Sequence, residues 1–484
     1  MPTSPSHAKR ELYVISCRKP VDNYAQIGAW RFNQREASLH VPKRAGTFAL
    51  LAAPLADEDL QEADLAPVMD ADGLPLDTDT LERIVGRRDL AVDRGGVQQE
   101  VKDRIAALLW RLSEPLVLFV HGYNVTPGDA LRAGQTIQRH LDRNRFAARV
   151  VVFRWPSNGH LLDYFPDQQS AGRFGSYALV NLLLSLRRAA GGRRRALHCL
   201  AHSMGTYVTT RALGTISILG LDRLLGPETT GVLEQVVFMQ PDIDFDCLCS
   251  GYESRAWDSP SYLEIPDGYA ATKLAGRLTI YCSTNDVALF ASLFKNRTKR
   301  LGAYGPGLEL PIDRTQLMKT KVRQNVVVVN CDDWYLFDPD SGHSHSHFLR
   351  CPPIMEDVAA TLRGDPPAAN AARTETPPGS RWYTLTYGSP GPLPGLAGFW
   401  KAAGSLTINR PMMMFVKVKK WLQLATRLLG TFAPAVPIVA SLIMGTVWRE
   451  HPVGFRVLVA SLVLLAIYAI LWVFGLRVLR REDR

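Results

Sequence analysis

The 484-residue sequence has few of the features that mark a secreted protein stabilised by disulfides. Its seven cysteines are an odd number, and several lie inside apolar runs, as Cys199 does. This placement is typical of reduced thiols that serve as small core residues. Cys247 and Cys249 have no matching second pair, which argues against a zinc knuckle. Because no apolar segment follows Lys9-Arg10, no signal peptide is expected.

Net positive charge is scarce in most of the chain, although the formal total is +10. Residues 401–484 carry 12 Lys/Arg and 3 Asp/Glu, a balance of +9, which leaves 44 against 43, a balance of +1, in residues 1–400. A nucleic-acid-binding domain is expected to carry a basic stripe on its folded surface, and the nearly neutral part has none. We therefore expect no nucleic-acid partner.

Two long runs near the C-terminus contain no charged residue, at 428–448 and 457–476. As a helix, each is long enough to cross the roughly 30 Å hydrocarbon core of a bilayer. Only residues 449–456 separate them, so the sequence predicts a transmembrane hairpin within a membrane-anchoring tail at 411–484. Four Lys/Arg precede the first run, four follow the second and two lie between them, which places both termini in the cytoplasm.

The rest of the chain divides by composition. Residues 364–410 are rich in proline and glycine and are expected to form a linker between a folded body, at 1–363, and the tail, although residues 381–387 could form a strand. Within the body, residues 55–100 are expected to be an acidic insertion or loop region, since residues 55–82 hold ten Asp/Glu and no Lys/Arg.

Short apolar runs alternate with segments of helical periodicity between residues 110 and 350. The runs are expected to be buried strands, at 115–120, 149–153, 196–201, 235–239, 278–282 and 325–330. Segments with helical period lie at 127–141, 168–188 and 204–219. This alternation predicts an α/β fold with a doubly wound, mostly parallel sheet. Right-handed crossovers then bring the loops after the strands to one edge, where sites in such folds form.

One of these loops places a serine between small residues. Ala201-His202-Ser203-Met204-Gly205 is a G-x-S-x-G pattern with alanine in the first position. On a tight strand-to-helix turn, small neighbours let the serine Oγ project above the sheet, and the next backbone N–H faces an oxyanion. Ser203 is therefore the predicted nucleophile, and Met204 supplies a predicted oxyanion donor.

A glycine turn follows the first of the predicted strands, in His121-Gly122-Tyr123-Asn124. Such a turn can direct backbone N–H groups at the same point, so the Tyr123 N–H is the predicted second oxyanion donor. We expect His121 to be a structural residue and not the catalytic base.

A serine nucleophile needs a base, and the base needs a carboxylate to orient it. Asp286 follows the strand predicted at 278–282, and a histidine-rich loop follows the next strand, so the chain order is serine, aspartate, histidine, as in α/β-hydrolase triads. Asp242 and Asp244 follow an earlier strand and are alternative acids. Asp286 is preferred because its strand is one nearer to the histidine loop.

The histidine loop offers three candidate bases, His343, His345 and His347. Alternate side chains on an extended segment share a face, so these histidines also suit a metal ion. No carboxylate-rich partner motif accompanies them, and we expect neither a metal nor a cofactor.

Five segments of the body resemble those of the bacterial esterase/lipase-like α/β hydrolases of unknown function, over about residues 10–363. They read LFVHGYN at 118–124, VFRWPS at 152–157, AHSMG at 201–205, PDID at 241–244 and YCSTNDVAL at 281–289. The resemblance implies an α/β-hydrolase fold, with Ser203 as nucleophile and Asp286 as acid. That family has an H-S-Y-F-like segment, and its best match, at 345–348, implies His345 as base, with His343 and His347 as alternatives.

Together, these features lead us to expect a membrane-anchored serine hydrolase that cleaves a small-molecule or lipid acyl ester. We expect it in the bacterial inner membrane, with two spans and with the catalytic domain and both termini in the cytoplasm. Two alternatives stay open, a catalytically idle α/β-hydrolase scaffold that acts as a membrane-tethered interaction module, and a lipase-type effector. The oligomeric state and the acyl group are left open.

Overall fold

The computed structural model describes the following residues: 11–17, 49–55, 58–70, 73, 76, 94–157, 163–190, 196–225, 231–250, 268–296, 298–307, 313–337 and 345–386. All of them belong to one compact unit, which lies within residues 1–387. The predicted spans at 428–448 and 457–476 lie outside the described residues and stay a prediction. Within the described part of the chain, no helix is both long and apolar enough to span a membrane.

Eleven strands in the described residues form one sheet. They are β1 (Glu11–Ser16), β2 (Ala49–Pro54), β3 (Ala66–Pro67), β4 (Leu116–Val120), β5 (Arg149–Arg154), β6 (Leu197–His202), β7 (Leu233–Met239), β8 (Ala275–Cys282), β9 (Val326–Asn330), β10 (Arg373–Glu375) and β11 (Trp382–Leu385). Their order across the sheet is β10-β11-β9-β8-β7-β6-β4-β5-β1-β2-β3.

The sheet is parallel from β1 at one side to β11 at the other, and its antiparallel pairings, β1 with β2, β2 with β3 and β10 with β11, lie at the two edges. The predicted α/β fold with a mostly parallel, doubly wound sheet is therefore confirmed. The six strands predicted between residues 110 and 350 are β4 to β9, and no boundary differs by more than three residues.

Helices connect the strands and cover both faces of the sheet. They are α1 (Arg94–Arg111), α2 (Pro127–Arg143), α3 (Tyr164–Ser170), α4 (Ser176–Ala190), α5 (Gly205–Ile218), α6 (Gly268–Ala271), α7 (Val287–Asn296), α8 (Leu301–Tyr304), α9 (Arg314–Thr320), α10 (Asp332–Phe337) and α11 (Pro352–Arg363). A π-helical turn, Ala171–Gly175, joins α3 to α4. The helix predicted at 168–188 is thus an interrupted one that begins earlier.

Alternate residues of the central strands pack into two apolar cores, one on each face. Leu118 and Val120 of β4 belong to the core that α1, α4 and α5 cover. Val117 and Phe119 point the other way, into the core beneath α2 and α11. Burial of both faces explains why the strands appear in the sequence as continuous apolar runs.

The folded body extends beyond the predicted boundary at residue 363. Strand β11 pairs in parallel with β9, with Trp382 opposite Val328, and β10 pairs with β11. Trp382 is almost wholly buried. The linker predicted from 364 is therefore wrong at its start, because the prolines there occupy turns that lead into short edge strands. Within the predicted acidic region at 55–100, β3 adds to the sheet edge and α1 begins.

Candidate active site

Ser203 occupies a strained turn between β6 and α5. Its φ is 53°, in the left-handed region that residues with a side chain seldom adopt. Backbone hydrogen bonds hold the turn on both sides: the Ser203 N–H donates to the carbonyl of Met239 at 3.0 Å, and the Ser203 carbonyl accepts from Thr206 at 3.0 Å and Asp242 at 3.3 Å. This is the strand-to-helix turn that the Ala201–Gly205 pattern predicts.

Two glycines allow the serine turn and the loop after β4 to touch. A Cβ at Gly205 would lie 2.3 Å from the carbonyl oxygen of Val120 and 2.5 Å from that of His121. A Cβ at Gly122 would lie 2.8 Å from the Cβ of Ser203. Glycine is therefore required at both positions, because a larger residue would clash with atoms of the other loop. The predicted oxyanion donors, in Tyr123 and Met204, belong to these two touching loops.

Asp286 and His345 are hydrogen-bonded to each other, although 59 residues separate them. His345 Nδ1 lies 2.6 Å from Asp286 Oδ2. The other carboxylate oxygen, Oδ1, accepts from the backbone N–H groups of Ala288 at 3.0 Å and Leu289 at 3.2 Å, in the first turn of α7. The Asp286 side chain is wholly buried, whereas 20% of the His345 side chain is exposed. With Nδ1 bound to the carboxylate, Nε2 is the ring nitrogen left to exchange a proton with a substrate.

The surroundings of His345 favour its charged form. Burial opposes the charge, but the carboxylate of Asp286 and its hydrogen bond, together with the charge of Asp242, raise the pKa of His345 above the usual value for histidine. A raised pKa makes the imidazole a stronger proton acceptor, which is the property that a general base needs.

The alternative acids, Asp242 and Asp244, form ion pairs with Arg300. The Arg300 Nε lies 2.7 Å from Asp242 Oδ1, and its Nη1 lies 2.5 Å from Asp244 Oδ1. Asp242 also accepts from the hydroxyl groups of Tyr164 at 2.8 Å and Ser292 at 2.5 Å. Burial opposes its charge, but Arg300 and these hydrogen bonds hold its pKa below the usual range. Asp242 thus acts on His345 through space, whereas Asp286 binds it directly.

The other candidate bases differ in position. His347 is wholly buried, and its ring meets that of Tyr335 in a T-shaped contact with 4.9 Å between centroids. A wholly buried ring does not reach a substrate, so the geometry favours His345 over His347. His343 lies outside the described residues.

His121 braces the loop after β4. Its ring stacks on Trp155 with 5.2 Å between centroids, and the indole Nε1 of Trp155 donates to the His121 carbonyl at 2.7 Å. Both side chains are buried. These contacts agree with the structural role expected of His121.

The phenol of Tyr123 is only partly exposed and meets the ring of Tyr164 edge-on, with 5.2 Å between centroids. Burial, together with the charges of Asp167 and Asp163, raises the pKa of Tyr123 to about 12. Its hydroxyl therefore stays protonated at neutral pH. The next residue, Asn124, has a φ of 56°, which turns the loop sharply.

Two residues that shape the site, Asp332 and Arg300, are not among those predicted from the sequence. The carboxylate of Asp332 accepts from the Ser283 hydroxyl at 2.9 Å and the Thr284 N–H at 2.7 Å, and so fixes the loop that leads to Asp286. Its position just after β9 was a usable signal, since the other site residues also follow strands. Nothing in the local sequence marks Arg300, whose role depends on contacts across the fold.

No group of three or more histidine, cysteine, aspartate or glutamate side chains is placed to hold a metal among the residues that the structure describes. The metal alternative for the histidine loop includes His343, which is not among those residues.

Three solved structures resemble the chain at low identity. Aspergillus fumigatus lipase B is 15% identical, with 51% of each chain covered and a TM-score of 0.27. One of two esterases from Rhizomucor miehei is 13% identical over 51% of this chain and 75% of that one, with a TM-score of 0.25. An arylesterase is 10% identical over 60% of this chain and 99% of that one, with a TM-score of 0.24. At these scores the likenesses carry no argument about substrate or mechanism.

This chain spans about half the length of the Aspergillus lipase that it resembles. A search of curated proteins finds no match. The family described as alpha/beta hydrolase of unknown function (DUF900) matches residues 98–362, which is more than half of the chain and includes the serine turn, Asp286 and His345. The chain belongs to this family of α/β hydrolases.

Proposed function

We propose that this α/β hydrolase is a serine hydrolase that cleaves acyl esters with Ser203, Asp286 and His345. The observation that supports this function most directly is the 2.6 Å hydrogen bond between His345 Nδ1 and Asp286 Oδ2. It occurs at the sheet edge where Ser203 is held at a φ of 53°. Backbone strain and a buried carboxylate both cost stability, and a catalytic role accounts for their occurrence together.

In the proposed acylation step, the Ser203 Oγ attacks the carbonyl carbon of the ester while His345 Nε2 accepts its proton. The N–H groups of Tyr123 and Met204 donate to the oxyanion of the tetrahedral intermediate. Asp286 holds the imidazole in position and stabilises its positive charge. His345 then gives the proton to the departing alkoxide, and the acyl group stays on Ser203.

In the deacylation step, His345 accepts a proton from water, and the resulting hydroxide adds to the acyl carbonyl. Collapse of this second intermediate breaks the bond to the Ser203 Oγ, which recovers its proton from His345 and releases the carboxylic acid. Serine, histidine and water account for every proton and for the acyl group, so the proposed reaction needs no cofactor.

Labelling with a fluorophosphonate tests the proposed nucleophile. The full chain should be labelled, and Ser203→Ala should abolish the labelling. Ser113→Ala is the matched control, because Ser113 is exposed and lies just before β4, at the opposite end of the strands from the site. Persistent labelling of Ser203→Ala at another serine would refute the assignment.

The idle-scaffold alternative predicts a different result in the same experiment. A scaffold without activity leaves the unmodified chain unlabelled and hydrolyses none of a chain-length series of p-nitrophenyl and acyl-CoA esters. The same series measures the preferred acyl length, on which specificity in the proposed reaction depends.

We also propose that the tail at 411–484 anchors the protein in the bacterial inner membrane, with the catalytic domain in the cytoplasm. The uncharged runs at 428–448 and 457–476 support this location, and they favour a lipid or small-molecule acyl ester near the bilayer as substrate. Arginine near the middle of both runs, in the double variant Ile438→Arg and Leu464→Arg, should release the full chain from carbonate-washed membranes, whereas Ile218→Arg, at an exposed residue of α5, should not. A lipase-type effector would instead be recovered outside the producing cell.

A further inference from the structure

We infer that His202, the residue before the nucleophile, is a positioning residue that holds the backbone of His345 against the serine turn. This inference rests on the proposed function. It adds a residue that neither the G-x-S-x-G pattern nor the triad requires.

The contact that carries the inference is a hydrogen bond between the His202 side chain and the His345 main chain. His202 Nε2 lies 3.1 Å from the carbonyl oxygen of His345. The two rings are 4.7 Å apart, and the His202 ring also packs 5.0 Å from that of Phe348. His202 is the last residue of β6, so this contact ties the histidine loop to the strand that carries Ser203.

The hydrogen bond also fixes the tautomer of His202. A carbonyl oxygen only accepts, so Nε2 must carry the proton. Burial, then the nearby charge on His345, holds the pKa of His202 well below the usual value for histidine, so the ring stays neutral. A neutral ring avoids placing a second positive charge beside His345 when the latter takes the serine proton.

His345 is thereby held at two points. Its Nδ1 is hydrogen-bonded to Asp286, in the loop that follows β8, and its carbonyl oxygen is hydrogen-bonded to His202, at the end of β6. The carboxylate sets the direction of the ring, and the bond from His202 sets the position of the His345 main chain relative to the strand that carries Ser203. Both matter because proton transfer between Ser203 and His345 depends on distances fixed within a fraction of an ångström.

Two substitutions distinguish the effect of the hydrogen-bond donor from that of the aromatic ring. His202→Phe keeps an aromatic ring but removes the donor, and it should lower kcat by about 100-fold with little change in KM, as expected for a displacement of about 1 Å at the reacting atoms. His202→Gln loses the ring but can place an amide N–H where Nε2 lies, and it should recover most of kcat. His198→Phe is the matched control, because His198 lies buried in the same strand and packs on Phe146, away from the site.

The outcomes distinguish this inference from the proposed function. If the unmodified chain neither hydrolyses esters nor reacts with a fluorophosphonate, the proposed function fails. If the unmodified chain is active and His202→Phe keeps its kcat, or His202→Gln is no better than His202→Phe, the positioning role is refuted. Nitrogen-15 NMR of the unmodified chain gives an independent test: a neutral ring protonated at Nε2 is expected, and protonation at Nδ1 would overturn the inference.

Discussion

Replacing Gly205 with alanine should disable the site through a steric conflict whose size follows from the structure. The new Cβ would lie 2.3 Å and 2.5 Å from the carbonyl oxygens of Val120 and His121. The van der Waals contact distance between carbon and oxygen is about 3.5 Å, so the serine turn and the end of β4 must separate by about 1 Å. Both oxygens belong to the main chain at the end of β4, where no side-chain rotation can relieve the conflict. The serine turn and the loop after β4 therefore move apart.

A displacement of about 1 Å between the predicted oxyanion donors should lower kcat by about 100-fold. Overpacking should also cost about 1–3 kcal/mol of unfolding free energy. Ester hydrolysis and urea unfolding measure the two effects. Gly128→Ala is the control, because its Cβ would approach only the flexible end of Arg132, at 3.4 Å, and it should leave kcat unchanged. An unchanged kcat in Gly205→Ala would refute the reasoning.

The remaining predictions concern the charged residues of the site. Asp286→Asn should lower kcat by about 10⁴-fold, because the amide N–H can donate to Nδ1 and so keep the ring proton on Nε2, which then cannot accept the serine proton, and a loss below tenfold would count against its role as the acid. The kcat/KM of the unmodified chain should fall as the pH drops through the raised pKa of His345. Asp242→Asn should move this fall to lower pH, because it removes a negative charge that raises the pKa of His345. If the midpoint of the pH profile did not move, the effect of the Asp242 charge on His345 would be contradicted. Arg300→Met should cost about 3 kcal/mol in urea unfolding by leaving Asp242 buried without its partner, and full stability would contradict the ion pair's role.

The central strands were predictable because both faces of the sheet are covered. Burial on two sides requires continuous apolar runs, and β4 to β9 all have them. The edge strands lack this signal: β10 is only Arg373–Glu375, and its pairing with β11 depends on tertiary contacts. Composition therefore indicates a linker from residue 364, and only the apolar and β-branched residues at 381–387 suggest a strand there.

The contact between Asp286 and the histidine loop was predictable from topology, whereas the choice among the histidines required the structure. Parallel strands place the loops after β8 and β9 side by side, which brings Asp286 to the histidine loop. His345 and His347 share a face only if the segment is extended. Residues His347–Arg350 instead form a 3-10 turn, which directs His347 into the core. The contacts of His202 and Arg300 depend on residues distant in sequence, and no local pattern marks them.

The central claim is that Ser203 carries the acyl group during turnover. Its most direct test is to mix the full chain with a p-nitrophenyl ester, quench the reaction in acid within the first turnover and locate the added acyl mass by peptide mapping. We expect to find the acyl group on Ser203 and a burst of p-nitrophenol equal to the enzyme concentration. The Ser203→Ala variant should show neither the acyl group nor the burst. Ester hydrolysis with the acyl group on another residue, or with no acyl-enzyme when deacylation is rate-limiting, would contradict the mechanism.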